Sequence, residues 1–480
     1  MNPSSSPIDD TIVEDTTAAI AHPVQQDATL QDMSATTTLS APAPTSPSIR
    51  TKDRDSVIQS LRAGVVPRLG QHLIQVGRAR EIVSLVSDMD RLIDGGSTFR
   101  IVSGEYGAGK TFFLNLVRAV AMEKKLVVAS ADLNPDRRLH ASGGQARSLY
   151  TELVRNFATR TKPDGGALTG IVEKFISTAQ TIAKSTNITT DAAIRQKLEQ
   201  LTELVNGYDF ADVIAAYYKG HQEGNDQLKA DAIRWLRGEF ATKTQARAAL
   251  GVRTIVEDST MYDQLKLLAR FVRLSGFGGL LVNLDELVNL YKLSHTQARN
   301  ANYEQILRIL NDSLQGTSEG LGFILGGTPE FLTDTRRGLY SYPALQSRLA
   351  QNSFASNGLI DLTGPVISLT SLTPEDFFVL LQKIRHVFAS GEPTNYLVPD
   401  EGIVAFMEHC ANNIGEAYFR TPRTTIVAFI NFLAILEQNT GTQWQTLLPG
   451  VKVVKDTGGD ADTQVDADGD GEDEFASFKM

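Results

Sequence analysis

The 480-residue chain sets 46 Lys and Arg against 56 Asp and Glu, a formal net charge of −10, and contains one cysteine, Cys410. A single thiol excludes an intramolecular disulfide framework. With no run of ~18 apolar residues and no early basic-then-apolar segment, neither a membrane span nor a secretory leader is supported, and a reducing cytoplasm is the expected compartment. The negative charge belongs to the ends: residues 1–50 carry −5 and residues 456–480 carry −8, which leaves +3 for residues 51–455, too little basic excess for strong autonomous binding of nucleic acid.

Residues 1–50 are rich in Ser, Thr, Pro and Ala, a composition that buries too little apolar surface to order itself, so a disordered N-terminal tail is expected. A short helix follows over residues 54–64, ended by Gly64. Gly77-Arg78 then opens an amphipathic helix whose apolar positions Ile82, Leu85, Val86, Met89, Leu92 and Ile93 keep a three-to-four spacing up to Gly95-Gly96. A glycine-arginine pair at this point is where many AAA-type ATPases hold the adenine; a plain helix-start turn explains the same letters.

The stretch Phe99 to Leu116 reads FRIVSGEYGAGKTFFLNL. A β-branched strand leads into Gly104-Glu105-Tyr106-Gly107-Ala108-Gly109-Lys110-Thr111, the Walker A spacing, and Phe112 begins an apolar helix. Backbone N–H groups of such a loop, with the following helix N-terminus, wrap a phosphate chain. Lys110 is expected to reach the β- and γ-phosphates, and the Thr111 hydroxyl to ligate Mg2+, so ATP and Mg2+ are the expected ligands.

Residues 125–132 read as a buried parallel strand. The next ~90 residues of mostly helical pattern, 163–250, exceed an ordinary strand-to-helix connection and predict a helical insertion spanning about 135–275. Arg137, Arg138, Arg147, Arg155, Arg160 and Lys162 in and beside it form either a basic face or an ordinary solvated surface. A second anchor, GGLLVNLD over 278–285, ends in Asp285-Glu286. A buried strand that delivers carboxylates to the sheet edge suits Asp285 to hold the metal and Glu286 to orient or deprotonate the attacking water.

Leu321 to Gly327 predicts a further strand, after which Thr328 stands where AAA-type enzymes place a γ-phosphate sensor; a Gly-Gly-Thr-Pro turn accounts for it equally. Arg336, Arg337 and Arg348 are candidates for an arginine donated across a subunit interface, or plain surface residues. From Leu369 the pattern turns helical. Thr373-Pro374 with Asp376 predicts a capped helix start, another helix covers 400–415, and Thr421-Pro422 opens a third in which Arg423 opposes the helix dipole unless an anion such as a nucleotide phosphate faces it. The acidic C-terminal tail, 456–480, imitates the start of an EF-hand at Asp466, Asp468 and Asp470-Gly471, but lacks the closing Glu and reads as a solvated, disordered tail.

Together these predict an α/β, AAA-like P-loop NTPase with a parallel sheet: an ATPase domain over 51–364 that carries the large helical insertion, and a C-terminal helical lid over 365–450. Strings in the same order, among them LRAGVVPRLGQHLIQVGR, DRRLHASGGQARSLYTELVRN, LLVNLDELVNLYKL, GGTPEFLTDTRRGLYSYPALQSRLA and AYFRTPRTTIVAF, resemble the BrxC/BrxD-type ATP-binding proteins of bacterial BREX phage-defence systems, and most closely the shorter BrxD type. The resemblance spans about residues 54–450. It implies an ATPase that works with other defence-system proteins on or near double-stranded DNA, with a homo-oligomer among the assemblies it allows. The alternative expectation is a nucleotide-gated switch or scaffold that hydrolyses slowly and does no motor work.

Overall fold

The computed structural model describes residues 49–352 and 360–454; the expectations for an N-terminal tail and for the acidic C-terminal tail with its EF-hand-like start lie outside the described residues, except at the last two positions of the former. Among the described residues five strands, β1 (Thr98–Gly104), β2 (Val127–Asp132), β3 (Leu280–Asp285), β4 (Leu321–Gly327) and β5 (Val366–Leu369), form one all-parallel sheet in the order β2-β3-β4-β1-β5. The helices of eight residues or more are α1 (Thr51–Arg62), α2 (Ala79–Ile93), α3 (Lys110–Glu123), α4 (Gln145–Arg155), α5 (Leu168–Thr186), α6 (Thr190–Leu198), α7 (Gly207–Glu223), α8 (Asp226–Leu236), α9 (Lys243–Leu250), α10 (Met261–Leu274), α11 (Thr296–Leu314), α12 (Pro374–Phe388), α13 (Asp400–Ile414) and α14 (Pro422–Gln438). The chain is thus α/β.

Period-two alternation assigns each strand two apolar faces, as a parallel sheet covered on both sides requires. Ile101, Val127, Ala129, Leu280, Val282, Phe323 and Leu325 face one core, while Val102, Val128, Leu281, Ile324 and Ile367 face another with Leu85, Met89, Phe113 and Val117 of α2 and α3. The first core continues without a break into the helices between β2 and β3, through Phe175, Phe210, Trp235 and Phe271. The helical insertion is therefore packed on the sheet and not hung from it. A third core joins α1, α12, α13 and α14 through Val57, Phe377, Phe406 and Phe429.

Local chemistry explains the boundaries. Gly64 adopts φ 71° just past α1, the left-handed turn that glycine accepts without strain. At α12 the Thr373 hydroxyl accepts from Asp376 N–H at 3.1 Å and the Asp376 carboxylate accepts from Thr373 N–H at 3.3 Å, a reciprocal cap in which two otherwise unpaired donors are satisfied. Strand β5 has no sequence-based expectation behind it: four residues are too few to show alternation, and pairing with β1 decides it.

Candidate functional site

All five strands run the same way, so Gly104, Asp132, Asp285, Gly327 and Leu369 share one edge of the sheet, the edge where ligands of open α/β folds bind. The loop that leaves β1 here turns on Gly107 (φ 84°) and Gly109 (φ 82°), conformations that an L side chain rarely adopts. Gly109 caps α3, whose first residue is Lys110. The Lys110 ammonium folds back over the loop and donates to the Gly104 carbonyl at 2.7 Å and the Glu105 carbonyl at 3.0 Å. Burial lowers its pKa, against the pull of Asp285, Glu286, Glu105 and Glu330. Tyr106 is 40 % exposed on the loop, Ala108 is buried, and Phe112 packs into the third core with α12 and α14.

Asp285 is buried at the end of β3, and its Oδ2 accepts a hydrogen bond from the Thr111 hydroxyl at 2.8 Å. Residues 174 positions apart thus meet at one point. The other carboxylate oxygen, Oδ1, accepts from Glu286 N–H at 2.9 Å, and Glu286 takes φ 59°, a left-handed conformation that carries strain in a non-glycine residue. Glu286 stands at the solvent-open rim. Partial burial of its carboxyl, followed by the neighbouring charges of Asp285 and Asp132, pushes its pKa up, against Lys110 and Lys292. Asp132 lies in register with Asp285 on β2, and its carboxyl is pushed up by burial and by Asp285 while Arg137 opposes the shift.

Sequence reasoning passed over two residues at this edge. Asp132 ends an apolar strand just as Asp285 does, and that pattern was the available signal. Gly326 had no such signal: a Cβ there would lie 2.5 Å from Asp285 Oδ1, so only glycine lets β4 pass the carboxylate.

The remaining expected residues are placed as follows. Thr328 leaves β4 half-buried, and its hydroxyl caps the one-turn helix Pro329–Thr333 by accepting from Phe331 N–H at 3.4 Å. Gly77 has φ 64° and Arg78 φ 62° at the start of α2; the Arg78 guanidinium donates to Thr370 Oγ1 at 3.3 Å and to the Thr370 carbonyl, and lies 3.7 Å from Glu81. In this state Arg78 ties the start of α2 to the end of β5. Arg423 is exposed in the first turn of α14, its stem beside Gly64. The turn ahead of α14 sits directly on the Gly104–Thr111 loop, because a Cβ at Gly107 would meet the Arg420 carbonyl oxygen at 2.7 Å. Arg337 points inward to the Tyr291 and Leu293 carbonyls at 3.2 and 3.3 Å, Arg348 bonds the Ala344 carbonyl at 2.9 Å, and the Arg336 side chain makes no hydrogen bond or ion pair among the described residues.

Edge, loop and carboxylates suit a polyphosphate carried with a hard cation. The Thr111 hydroxyl and Asp285 carboxylate are hard oxygen donors converging at one point, and Mg2+ in such sites takes few protein ligands and completes its shell with water and phosphate oxygens. No cluster of three or more His, Cys, Asp or Glu that could cage a metal occurs among the described residues. No helix there is long and apolar enough to cross a membrane. No curated protein matches the chain. The family model described as BREX system ATP-binding protein BrxC/D matches residues 49–452.

Proposed function

The chain belongs to the BREX system ATP-binding protein BrxC/D family, and from that premise we propose that it holds ATP with Mg2+ on the Gly104–Thr111 loop and hydrolyses it to ADP and phosphate as an AAA-like P-loop NTPase of the BrxD type. The observation that carries the reading is the 2.8 Å bond between Thr111 and Asp285, which joins the loop to the acidic strand end at the place a phosphate-bound cation would take. The strand order supports the AAA-like assignment: β4 lies between β1 and β3, so Thr328 emerges between the loop and the carboxylates, as a γ-phosphate sensor would.

In the proposed reaction the Lys110 ammonium exchanges its two carbonyl partners for β- and γ-phosphate oxygens. Bound Mg2+ would supply charge neutralisation on those oxygens, held by Thr111 and by Asp285 directly or through water. Glu286 takes the proton of a water that attacks the γ-phosphorus, the bond to the β-phosphate oxygen breaks, and ADP leaves with that oxygen. Arg423, Gly77 and Arg78 are proposed to reach the nucleotide from the lid side, Arg78 by releasing Thr370. ATP turnover then acts within a multi-component defence system, with other proteins of that system as partners and with double-stranded DNA contacted through them.

The contact of Arg420 and Thr421 with Gly107 favours a second reading, in which nucleotide occupancy mainly repositions α14 and turnover is slow. One experiment separates them: ATP turnover of the native chain and of Glu286→Gln, with and without duplex DNA, beside ATP affinity for Lys110→Ala. The hydrolytic reading expects Glu286→Gln to keep ATP binding and lose about 10²- to 10⁴-fold in rate, and Lys110→Ala to lose binding. Absence of turnover in every condition would leave the switch; native affinity in Lys110→Ala would remove the phosphate-loop assignment.

A further inference from the structure

Helix α4 shows two unlike faces. Ala146, Leu149, Tyr150, Leu153 and Val154 are buried in the sheet-side core, while Arg147, Ser148, Thr151 and Arg155 recur at helical spacing on the other side. That polar face forms one wall of a cleft of about 290 Å³, closed by Arg137 from the segment after β2 and by Gly238-Glu239 from the turn after α8. The opposite wall is fixed in place: the Tyr150 hydroxyl donates to the Leu236 carbonyl at 2.7 Å, and a Cβ on Gly238 would press on the Tyr150 ring at 3.0 Å.

Three guanidinium groups line the cleft, and the protein uses them only in part. Arg155 donates through Nε and Nη2 to a single oxygen of Glu239, at 3.1 and 3.0 Å, and Arg137 meets Glu152 at 3.3 Å. The Arg147 side chain has no hydrogen bond or ion pair among the described residues, and neither do the Ser148 and Thr151 hydroxyls. The helix end is not the attraction, because Asp258 already caps it, accepting from Gly144 N–H at 2.7 Å and Arg147 N–H at 2.8 Å. What stays unmet is the Arg147 guanidinium with two hydroxyls beside it: of the charged groups lining the cleft three are cations and two are carboxylates, while Asp258 is engaged with the backbone at the helix end and Asp132 lies near Arg137.

We propose that this cleft is a second phosphate-binding site, separate from the Gly104–Thr111 loop, which takes the phosphomonoester group of a small molecule. Planar guanidinium forks and hydroxyls are the donors that a dianionic phosphate selects. The volume lies at the lower end for small-molecule pockets and holds a phosphate with a body about the size of a pentose. A duplex backbone presents its phosphates in a row along a rod, and a single cleft of this size takes one of them.

The proposal is independent of the hydrolytic reading, and its test uses the full chain carrying Lys110→Ala, which silences the loop. Calorimetric titration with inorganic phosphate and with ribose 5-phosphate should show one bound equivalent of each, weakened at least tenfold by adding Arg147→Ala and partly restored by Arg147→Lys. Native ATP affinity in the Arg147→Ala single variant shows that the fold is intact. Absence of binding of both probes, or binding that Arg147→Ala leaves unchanged, overturns the site. Binding of a 20-base-pair duplex through Arg147, with neither small probe bound, overturns it in favour of a nucleic-acid face.

Discussion

At the scale of single residues, the candidate site is a cluster of acids faced by Lys110 and Lys292. Asp285, Asp132 and partial burial all favour the protonated form of Glu286, while Lys110 and Lys292 favour the carboxylate. If Glu286 is the base of the proposed hydrolysis it must be ionised to take a proton, and its raised carboxyl pKa predicts that turnover falls on acidification at a higher pH than an unperturbed glutamate would give. Asp132→Asn removes one of the raising charges, so the acid limb of the kcat profile should move to lower pH, whereas Asp132→Glu should leave it near its native position. An acid limb that stays put in Asp132→Asn would separate Asp132 from the chemistry.

At the scale of elements, α2 is joined to β1 by a buried ion pair. Arg100, on a fully buried strand, donates through Nε and Nη2 to the two oxygens of Asp88 on α2, at 2.5 and 3.0 Å, with each residue at most 5 % exposed. Its remaining N–H groups reach the Gly364 carbonyl and, at 3.4 Å, Ser84 Oγ. Removing one member of such a pair strands a charge in a site without water, at a cost of about 3 to 5 kcal/mol. Asp88→Ala should therefore lower the unfolding free energy measured by urea titration by that amount, and the double variant Asp88→Leu, Arg100→Met should be less destabilised than the single one. A loss of unfolding free energy below about 1 kcal/mol in Asp88→Ala would mean that the guanidinium finds water instead.

For the whole molecule, the consequential approach is that of the turn ahead of α14 to Gly107, through which a nucleotide held as proposed on the loop would act on the helices of the third core. Of the three arginines after β4, Arg337 is spent inside the fold and Arg348 on its own helix, which leaves Arg336 exposed and available to a neighbouring copy. Particle mass measured by light scattering should rise with a non-hydrolysable ATP analogue, and Arg336→Ala should cut turnover about 10³-fold or more at unchanged ATP affinity, as loss of an arginine donated in trans does. A constant monomeric mass would remove that role from Arg336.

What could be read from the letters was whatever depends on near neighbours in the chain. The glycine spacing of Gly104 to Thr111, the apolar run closed by Asp285-Glu286, the Thr373 cap and the short apolar runs of β2 and β4 each show themselves within ten residues, because turn geometry, helix capping and strand burial are local matters. What the tertiary structure decided depends on neighbours far apart in sequence. Pairing with β1 makes a strand of Val366–Leu369, register with β3 places Asp132 beside Asp285, the passage of β4 requires glycine at 326, and a shared core welds the insertion to the sheet. The same folding divides the arginines that the sequence could treat only as a group: Arg337 is half-buried and bonded to backbone carbonyls, and Arg137, Arg147 and Arg155 converge on one cleft. Long-range contacts carry no signature in any short window, since what fixes them is which surfaces can be buried together.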